Sequence, residues 1–187
     1  MMIPCPLAGE NLSELRGELK VEGTTLRLTP KQREKILRDI WLLHDGRWFI
    51  KSVGEVGFDT ATQLNLNVVG SIGKTEIKRL LAEIGYGKIK NIKEFKELMA
   101  IAADLYFPEE HKYSITIADD NTLVGHVLEC YVHKYVSKAG TADIHQCAAK
   151  TRFDSWFKSF GLKGEIIAEK NTHNCNGSCK IIFKIKW

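Results

Sequence analysis

The clearest structural signal in the sequence is KYSITIADDNTLVGHVLEC, residues 112–130. Its first half has apolar residues at every second position, namely Tyr113, Ile115 and Ile117. This period is typical of a strand with one buried face. The polar residues 119–121 predict a turn, and the apolar residues from Leu123 to Val136 predict a second strand. We therefore expect a β-hairpin at the start of the C-terminal half.

The sequence after this hairpin predicts one helix and two more strands. Apolar residues return to helical spacing from Ala142 to Phe160. Thr141 or Asp143 is the expected N-cap, and Gly161 follows the expected end. Two apolar segments flank a turn-prone region and predict strands, residues 163–169 and 179–187. The predicted order of this half is β-β-α-β-β.

The sequence before the hairpin begins with a strong helix signal. Thr29 and Pro30 combine an N-cap with a first-turn proline, so the first helix should run from Pro30 to about Val53. Its apolar residues occupy most faces of the helix. We therefore expect this helix to be largely buried.

Two further helices are predicted by their capping residues. The second should begin near Asp59 and end at Gly85, which suits the C′ position. The third should span residues 92–105, because Asn91 and Glu94 form a capping box in front of it.

These elements predict an α+β fold in which an N-terminal three-helix region packs on a C-terminal antiparallel sheet of β-β-α-β-β order. We divide the chain into an N-terminal arm (1–28), a helical region (29–108) and a cysteine-bearing α+β region (109–187). No flexible linker separates the last two, so we expect them to form one compact unit.

Length and composition point to a globular cytoplasmic protein. The 187 residues, 44% of them hydrophobic, can bury a core without disulfides. The N-terminus lacks the features of a secretory signal, and no apolar run is long enough for a membrane span. In a reducing compartment, the five cysteines are better explained as ligands, reactive thiols or buried side chains than as disulfides.

The charge pattern argues against nucleic acid as a partner. The 27 basic residues barely exceed the 23 acidic ones, and the lysines are interspersed with glutamates. A small-molecule ligand is the expected partner, and the oligomeric state is left open, a homodimer included.

Four cysteines of the C-terminal half are the strongest candidates for chemistry. They are expected on a strand, early in a helix, in a turn and at the start of the last strand: Cys130, Cys147, Cys175 and Cys179. Four thiolates suit tetrahedral zinc, with iron as the alternative. His126, His145 or His173 could replace one cysteine, and His133 is a weaker candidate. Cys5 is not included.

The cysteines also permit other interpretations. Cys147 is expected near a helix N-terminus, which favours a thiolate and makes it a candidate nucleophile. Simple burial of free cysteines and a redox disulfide remain alternatives to a metal site.

The first predicted helix contains a second candidate site. His44 and Asp45 lie between Trp41 and Trp48. In one interpretation His44 is a core residue bonded to a carbonyl. In the other it is a ligand or acid/base group in a pocket walled by both tryptophans, with Asp45 or Glu55 orienting it and His126 as a further ligand-binding residue. Gly46 costs a helix interior about 1 kcal/mol, which suggests close approach of another element or a ligand.

Two parts of the chain carry resemblances to known families. Residues 41–81, WLLHDGRWFIKSVGEVGFDTATQLNLNVVGSIGKTEIKRLL, resemble a bacterial and archaeal cytosolic family grouped with L-2-amino-thiazoline-4-carboxylic acid hydrolase-like proteins. In the C-terminal half, the stretches LEC (128–130), FDSWFKSFG (153–161) and EIIAEKNTHNCNGSCKIIFKI (165–185) resemble the 4-vinyl reductase domain, thought to bind small molecules. The likeness implies that the four cysteines match metal or ligand cysteines and that His44 and Asp45 match a helical motif. It implies no settled reaction.

Three functional hypotheses follow. The first is a zinc- or iron-binding protein with a small-molecule pocket, acting as a sensor or binding module. The second is a metal-assisted or cysteine-dependent hydrolase of a small amide or heterocycle, with Cys147 and His44 or His126 as partners. The third is a structural zinc site alone.

Overall fold

The structure is a computed structural model that describes residues 28–142, 145–169 and 176–187. The chain divides into two compact units, residues 1–37 and 38–187. The helices of the described residues are α1 (Pro30–Val56), α2 (Phe58–Glu83), α3 (Ile92–Tyr106), α4 (Tyr131–Lys138) and α5 (Ala149–Ser159). The strands are β1 (Lys112–Asp119), β2 (Thr122–Glu129), β3 (Lys163–Ala168) and β4 (Cys179–Lys186).

The predicted α+β class is confirmed. Helices precede a four-stranded sheet with the order β1-β2-β4-β3, and all three strand pairs are antiparallel. The alternation seen in the sequence sets the register, because Leu123, Phe183 and Ile166 lie side by side on three neighbouring strands and are all buried. The same alternation leaves their sequence neighbours outside the core.

The core lies between the sheet and the helices α3 and α5. Phe95 is at its centre and meets Phe157, Phe160 and Phe183 edge to face, with ring centroids 5.7–6.0 Å apart. Helix α2 packs along α5. Gly73 permits this approach, because a Cβ there would lie 3.2 Å from the side chain of Ser155.

Side-chain hydrogen bonds cap the N-termini of α1 and α3. The backbone N–H of Gln32 donates to Thr29 Oγ1, and the side chain of Gln32 accepts from Thr29 N–H. The side chain of Asn91 accepts the N–H groups of Lys93 and Glu94 and donates to Glu94 in return. Both predicted N-termini are confirmed.

The second strand is shorter than predicted. Strand β2 ends at Glu129, and residues 131–138 form helix α4 instead of extending the strand to Val136. Cys130 is therefore the N-cap of a helix and not a strand residue. Val132 and Val136 are both half-buried and lie four residues apart, which is the spacing of one helix face. The same spacing also suits one face of a strand, so the sequence pattern was ambiguous.

The next helix begins later than predicted. Helix α5 starts at Ala149, so Cys147 precedes it and is not in its first turn. Thr141 does not cap α5, because its N–H and its hydroxyl both donate to the carbonyl of Val136 at the end of α4. Asp143, the other predicted cap, lies outside the described residues.

Helix α1 is not buried, contrary to the sequence prediction. None of its residues is buried, and its large apolar side chains include some of the most exposed in the described residues. The apolar pattern was real, but within the described part of the chain no helix or strand covers the outer side of α1. None of the five described helices has the length and apolar content required to cross a membrane.

Candidate functional site

The end of β2 and the start of β4 bring two predicted metal ligands to one end of the sheet. Val127 pairs with Cys179 in the last rung of the β2–β4 ladder. Beyond this rung, the backbone N–H of Cys130 donates a 2.9 Å hydrogen bond to the carbonyl of Gly177. Cys130 is thereby fixed to the turn that precedes β4.

Gly177 has a conformation and a neighbour that only glycine suits. Its φ of 85° is in the left-handed region, and a Cβ would lie 3.0 Å from Nδ1 of His133. His133, on α4, therefore packs directly against this turn. His133 was predicted as a weaker candidate than His126, His145 and His173, on a segment predicted as a strand.

A second histidine lies near His133. Burial lowers the pKa of His145, and the neighbouring His133 lowers it further. Cys147 follows His145 by two residues and is half-buried, as are Cys130 and Cys179. Cys130 and Cys179 thus lie on segments next to the turn at Gly177. Cys147 lies on the segment of His145, which is a neighbour of His133.

His126 also faces this region. Its Nε2 lies 3.4 Å from Oγ of Ser178, and the Ser178 hydroxyl donates a 2.9 Å hydrogen bond to the carbonyl of Val127. Ser178 thus ties the turn to β2 in the same way as the Cys130–Gly177 bond.

The predicted metal cluster itself includes residues outside the described part. Among residues 28–142, 145–169 and 176–187, no three His, Cys, Asp or Glu side chains are grouped so that they could hold a metal ion. Cys175 and His173 are not among those residues, and neither is Cys5. The four-cysteine site remains a prediction.

The predicted pocket around His44 is different in the structure. Trp41 and Trp48 are 57% and 44% exposed, so the two indoles wall no enclosed pocket within the described residues. His44 stacks on Trp41 at a centroid distance of 6.4 Å. Asp45 has another role, because its charge contributes to raising the pKa values of Tyr131 and Arg152.

A buried polar cluster was missed by the sequence analysis. Glu76 of α2 accepts hydrogen bonds from Nε of Arg152 at 3.0 Å and from Nε1 of Trp156 at 2.7 Å. A second guanidinium nitrogen of Arg152 also bonds the carboxylate. Burial lowers the pKa of Arg152, but the hydrogen bond and charge of Glu76 outweigh it and hold that pKa above its usual value. The available signal was a charged residue on the apolar face of each helix, since Glu76 lies four residues before Leu80 and Arg152 four residues before Trp156.

The aromatic neighbours of this cluster extend it towards α4. The guanidinium carbon of Arg152 lies 5.5 Å from the ring centroid of Phe107. Burial raises the pKa of Tyr131 to about 12, and the positive charge of Arg152 opposes that rise. His111 meets the Tyr131 ring edge to face at 5.5 Å.

A cavity of about 620 Å³ opens beside this cluster, a volume typical of small-molecule sites. It lies between the end of α3, the start of β1 and the end of β2, and its walls include Arg38, Phe107, His111, Tyr113, Leu128 and Glu129. Arg38 is held there by donating to the carbonyls of Asp104 and Phe107. Since Glu129 immediately precedes Cys130, the cavity adjoins the cysteine-bearing end of the sheet.

His111 is the unusual residue of this cavity. It is 9% exposed, and its Nδ1 has no hydrogen-bond partner within the described residues. Burial, assisted by the charge of Arg152, lowers its pKa to about 4. His111 is therefore a neutral group at neutral pH, with a ring nitrogen left unpaired by its neighbours.

The fold and these features define an α+β protein with a histidine- and cysteine-bearing sheet end beside a small-molecule-sized cavity. No family model and no curated protein sequence matches the chain. The resemblances described above therefore remain expectations.

Proposed function

We propose that the protein binds a metal ion, zinc first and iron second, through Cys130, Cys147, Cys175 and Cys179, and binds a small molecule in the adjoining cavity. It would act as a sensor or binding module. The observation that carries this proposal is the hydrogen bond from Cys130 N–H to the Gly177 carbonyl.

This bond matters because of where Gly177 lies in the sequence. It is two residues after Cys175 and two residues before Cys179. Two residues of chain span at most about 7 Å, so covalent geometry keeps Cys179 near the point to which Cys130 is attached. Soft thiolates are donors that zinc prefers.

Histidine chemistry around the turn supports the same proposal. His133 packs on Gly177, and His145 lies close enough to His133 for that neighbour to lower the pKa of His145. Neutral imidazoles are good zinc ligands, so either could complete a mixed site or orient a thiolate from outside.

The cavity supports the binding of a small molecule. Phe107 and Tyr113 supply apolar wall, and Arg38 and Glu129 supply charged groups at the same cavity. A ligand in this cavity would be one residue away from Cys130 along the chain. Occupancy of the cavity and of the metal site could therefore affect each other.

A structural zinc site is the second candidate function. Its support is that Cys130 and Ser178 already fasten the turn to β2 by hydrogen bonds, so an ion there would reinforce existing contacts. The hydrolase hypothesis has less support, since His44 is on the exposed helix α1 and Cys147 precedes α5.

The experiment is metal analysis of the full chain, purified under reducing conditions and supplied with zinc. Wild type should contain stoichiometric zinc, and Cys130→Ser, Cys175→Ser and Cys179→Ser should each lose it. Cys5→Ser is the matched control and should keep it. Wild type without bound zinc, or full zinc in all the single variants, contradicts the proposal.

Cys147→Ser tests whether Cys147 is the fourth ligand when zinc is bound. Loss of zinc in this variant supports a closed site with four cysteine ligands, whereas retained zinc indicates an open coordination position.

A further inference from the structure

The cavity beside His111 has a charge pattern that indicates which class of ligand it takes. Its wall contains five charged side chains, Arg38, Asp104, Glu109, Lys112 and Glu129. Three of them are acidic and two are basic. Since the two signs nearly balance, the preference of the cavity depends on which of these charges already have partners.

Both basic side chains are bonded to backbone carbonyl groups. Nη1 of Arg38 donates to the carbonyls of Asp104 and Phe107 at the C-terminal end of α3. Nζ of Lys112 donates a 2.6 Å hydrogen bond to the carbonyl of Glu109. The last carbonyls of a helix carry partial negative charge, so Arg38 compensates the end of α3. The two cations of the wall are therefore already used within the fold.

The three carboxylates of the wall lack such partners. Within the described ranges of the chain, the side chains of Asp104, Glu109 and Glu129 accept no hydrogen bond and form no ion pair. Glu129 lies opposite Lys112 in the pairing of β1 with β2, but their charged groups do not meet. Burial raises the pKa of Tyr113 and the charge of Asp104 raises it further, so this carboxylate lies near the phenol. The uncompensated charge at the cavity is thus negative.

His111 is an independent sign of a ligand. Its side chain is only 9% exposed, yet neither ring nitrogen has a hydrogen-bond partner in the part of the chain that is described. Most buried polar side chains have one. Of the two nitrogens only Nδ1 is fully enclosed, so Nε2 is the atom through which the ring can meet a molecule in the cavity. The ring is uncharged at neutral pH and does not repel a cation.

The aromatic side chains of the wall favour the same class of ligand. The faces of aromatic rings attract ammonium and guanidinium ions. Phe107 already makes such a contact, because the guanidinium carbon of Arg152 lies 5.5 Å from its ring centroid. The half-buried ring of Tyr113 and the unpaired carboxylate of Asp104 are neighbours in the same wall.

We propose that the ligand of this cavity is a small organic amine in its protonated form, with the ammonium group beside Asp104 and Tyr113 and the hydrocarbon part against Phe107. This inference rests on the proposed function, which places a small molecule in the cavity, and adds its chemical class. An anionic ligand would meet two cations that already bond backbone carbonyls and three carboxylates that would repel it.

Matched probe compounds test this charge preference. Phenethylamine, hydrocinnamate and phenethyl alcohol share one hydrocarbon part and differ in the charge of the end group, and butylamine, valerate and butanol form a second set. Each compound is titrated into the full chain, and NMR shifts of the protein locate and quantify binding. The amine of at least one set should shift Phe107, His111 and Tyr113 and bind about tenfold more tightly than its carboxylate, as one charge-assisted hydrogen bond provides.

Asp104→Asn tests the proposed ammonium position. It removes the charge with little change of size and should weaken binding of the amine about tenfold. Glu110→Gln is the matched control, because Glu110 follows Glu109 in the chain but is not part of the cavity wall. Its effect should be no more than about twofold, since solvent and salt screen a more distant charge. Equal weakening in both variants would reveal a general effect of net charge and overturn the inference.

The remaining outcomes separate this inference from the proposed function. Binding of the carboxylates or alcohols in the cavity without a preference for the amines overturns the inference and leaves the small-molecule site in place. If no compound of either set shifts the cavity residues, the inference and the small-molecule part of the proposed function both fail. An amine that shifts Cys130 and Gly177 in place of Tyr113 binds at the cysteine-bearing end of the sheet, which contradicts the proposed position.

Discussion

Glu76 and Arg152, seventy-six positions apart, form a bidentate ion pair between α2 and α5. The pair lies beside the ring of Trp156, which donates to the same carboxylate. Glu76 is buried and Arg152 largely so. The two helices are thus joined by an interaction that is stable only while both charges are present.

We expect Glu76→Ala to lower the free energy of unfolding by about 3–5 kcal/mol, because it leaves the Arg152 guanidinium buried without its anion. Urea denaturation at neutral pH measures this loss. Replacing Glu76 and Arg152 together by leucine and methionine should cost much less than the single change, since neither charge then remains buried.

An exposed pair provides the control for this prediction. Lys150 and Asp154 form a 2.8 Å ion pair one helical turn apart on the surface of α5. Asp154→Ala should change the free energy of unfolding by less than about 1 kcal/mol. Equal losses of unfolding free energy in Glu76→Ala and Asp154→Ala would show that the buried pair stabilises the protein no more than the exposed pair.

His111 should give the protein a pH-dependent stability in the mildly acidic range. Its folded-state pKa is about 4, below the ordinary histidine value of 6.5, so the unfolded chain binds the proton more readily. Stability due to neutral His111 is fully present above pH 6.5 and is lost as the pH falls towards 4. After allowance for solvent contact, we expect a loss of about 1–2 kcal/mol.

His111→Phe isolates this effect from the titration of carboxylates. Phenylalanine keeps the aromatic contacts with Phe107 and Tyr131 and has no proton to bind. The difference in unfolding free energy between wild type and variant should change between pH 7 and pH 4. A difference that stays constant with pH would mean that His111 titrates equally in both states.

Gly164 of β3 should not tolerate any side chain. Its φ is 147°, and a Cβ would lie 1.9 Å from the carbonyl oxygen of Lys184 on β4. Gly164→Ala should therefore destabilise the protein by about 3 kcal/mol or more, measured by urea denaturation. Gly87→Ala, where no atom of the described residues lies within 4 Å of a built Cβ, should change stability by less than about 1 kcal/mol.

Local signals predicted much of the fold. The capping box at Asn91 and Glu94 was readable because all of its atoms are within four residues. Helix α4 was missed because its eight residues mix apolar and polar side chains and directly follow the apolar residues of β2, so they suited a continued strand as well as a short helix. The exposure of α1 could not be predicted, because an apolar pattern indicates a buried face but does not show which other elements pack against it.

The candidate site was less predictable because it depends on contacts between distant residues. The Cys130–Gly177 bond and the packing of His133 on that turn follow from the end of β2 and the start of β4 meeting at one end of the sheet. The cavity around His111 likewise needs α3, β1 and β2 together. The sequence indicated the cysteines by residue type, but it contained no sign of these neighbours.

Zinc removal should lower thermal stability if the four cysteines hold the ion. A ligand that binds only the folded chain at about 100 times its Kd adds about 2.7 kcal/mol, which for a chain of this size corresponds to roughly 5–10 °C in Tm. Adding a chelator to zinc-loaded wild type should therefore lower Tm by this amount, and Cys5→Ser should respond in the same way. Cys175→Ser should melt at the lower temperature from the start and show no response to the chelator, because it has already lost the ion. If the chelator removes zinc from wild type while Tm stays constant, the ion is bound at a place that does not stabilise the turn at Gly177.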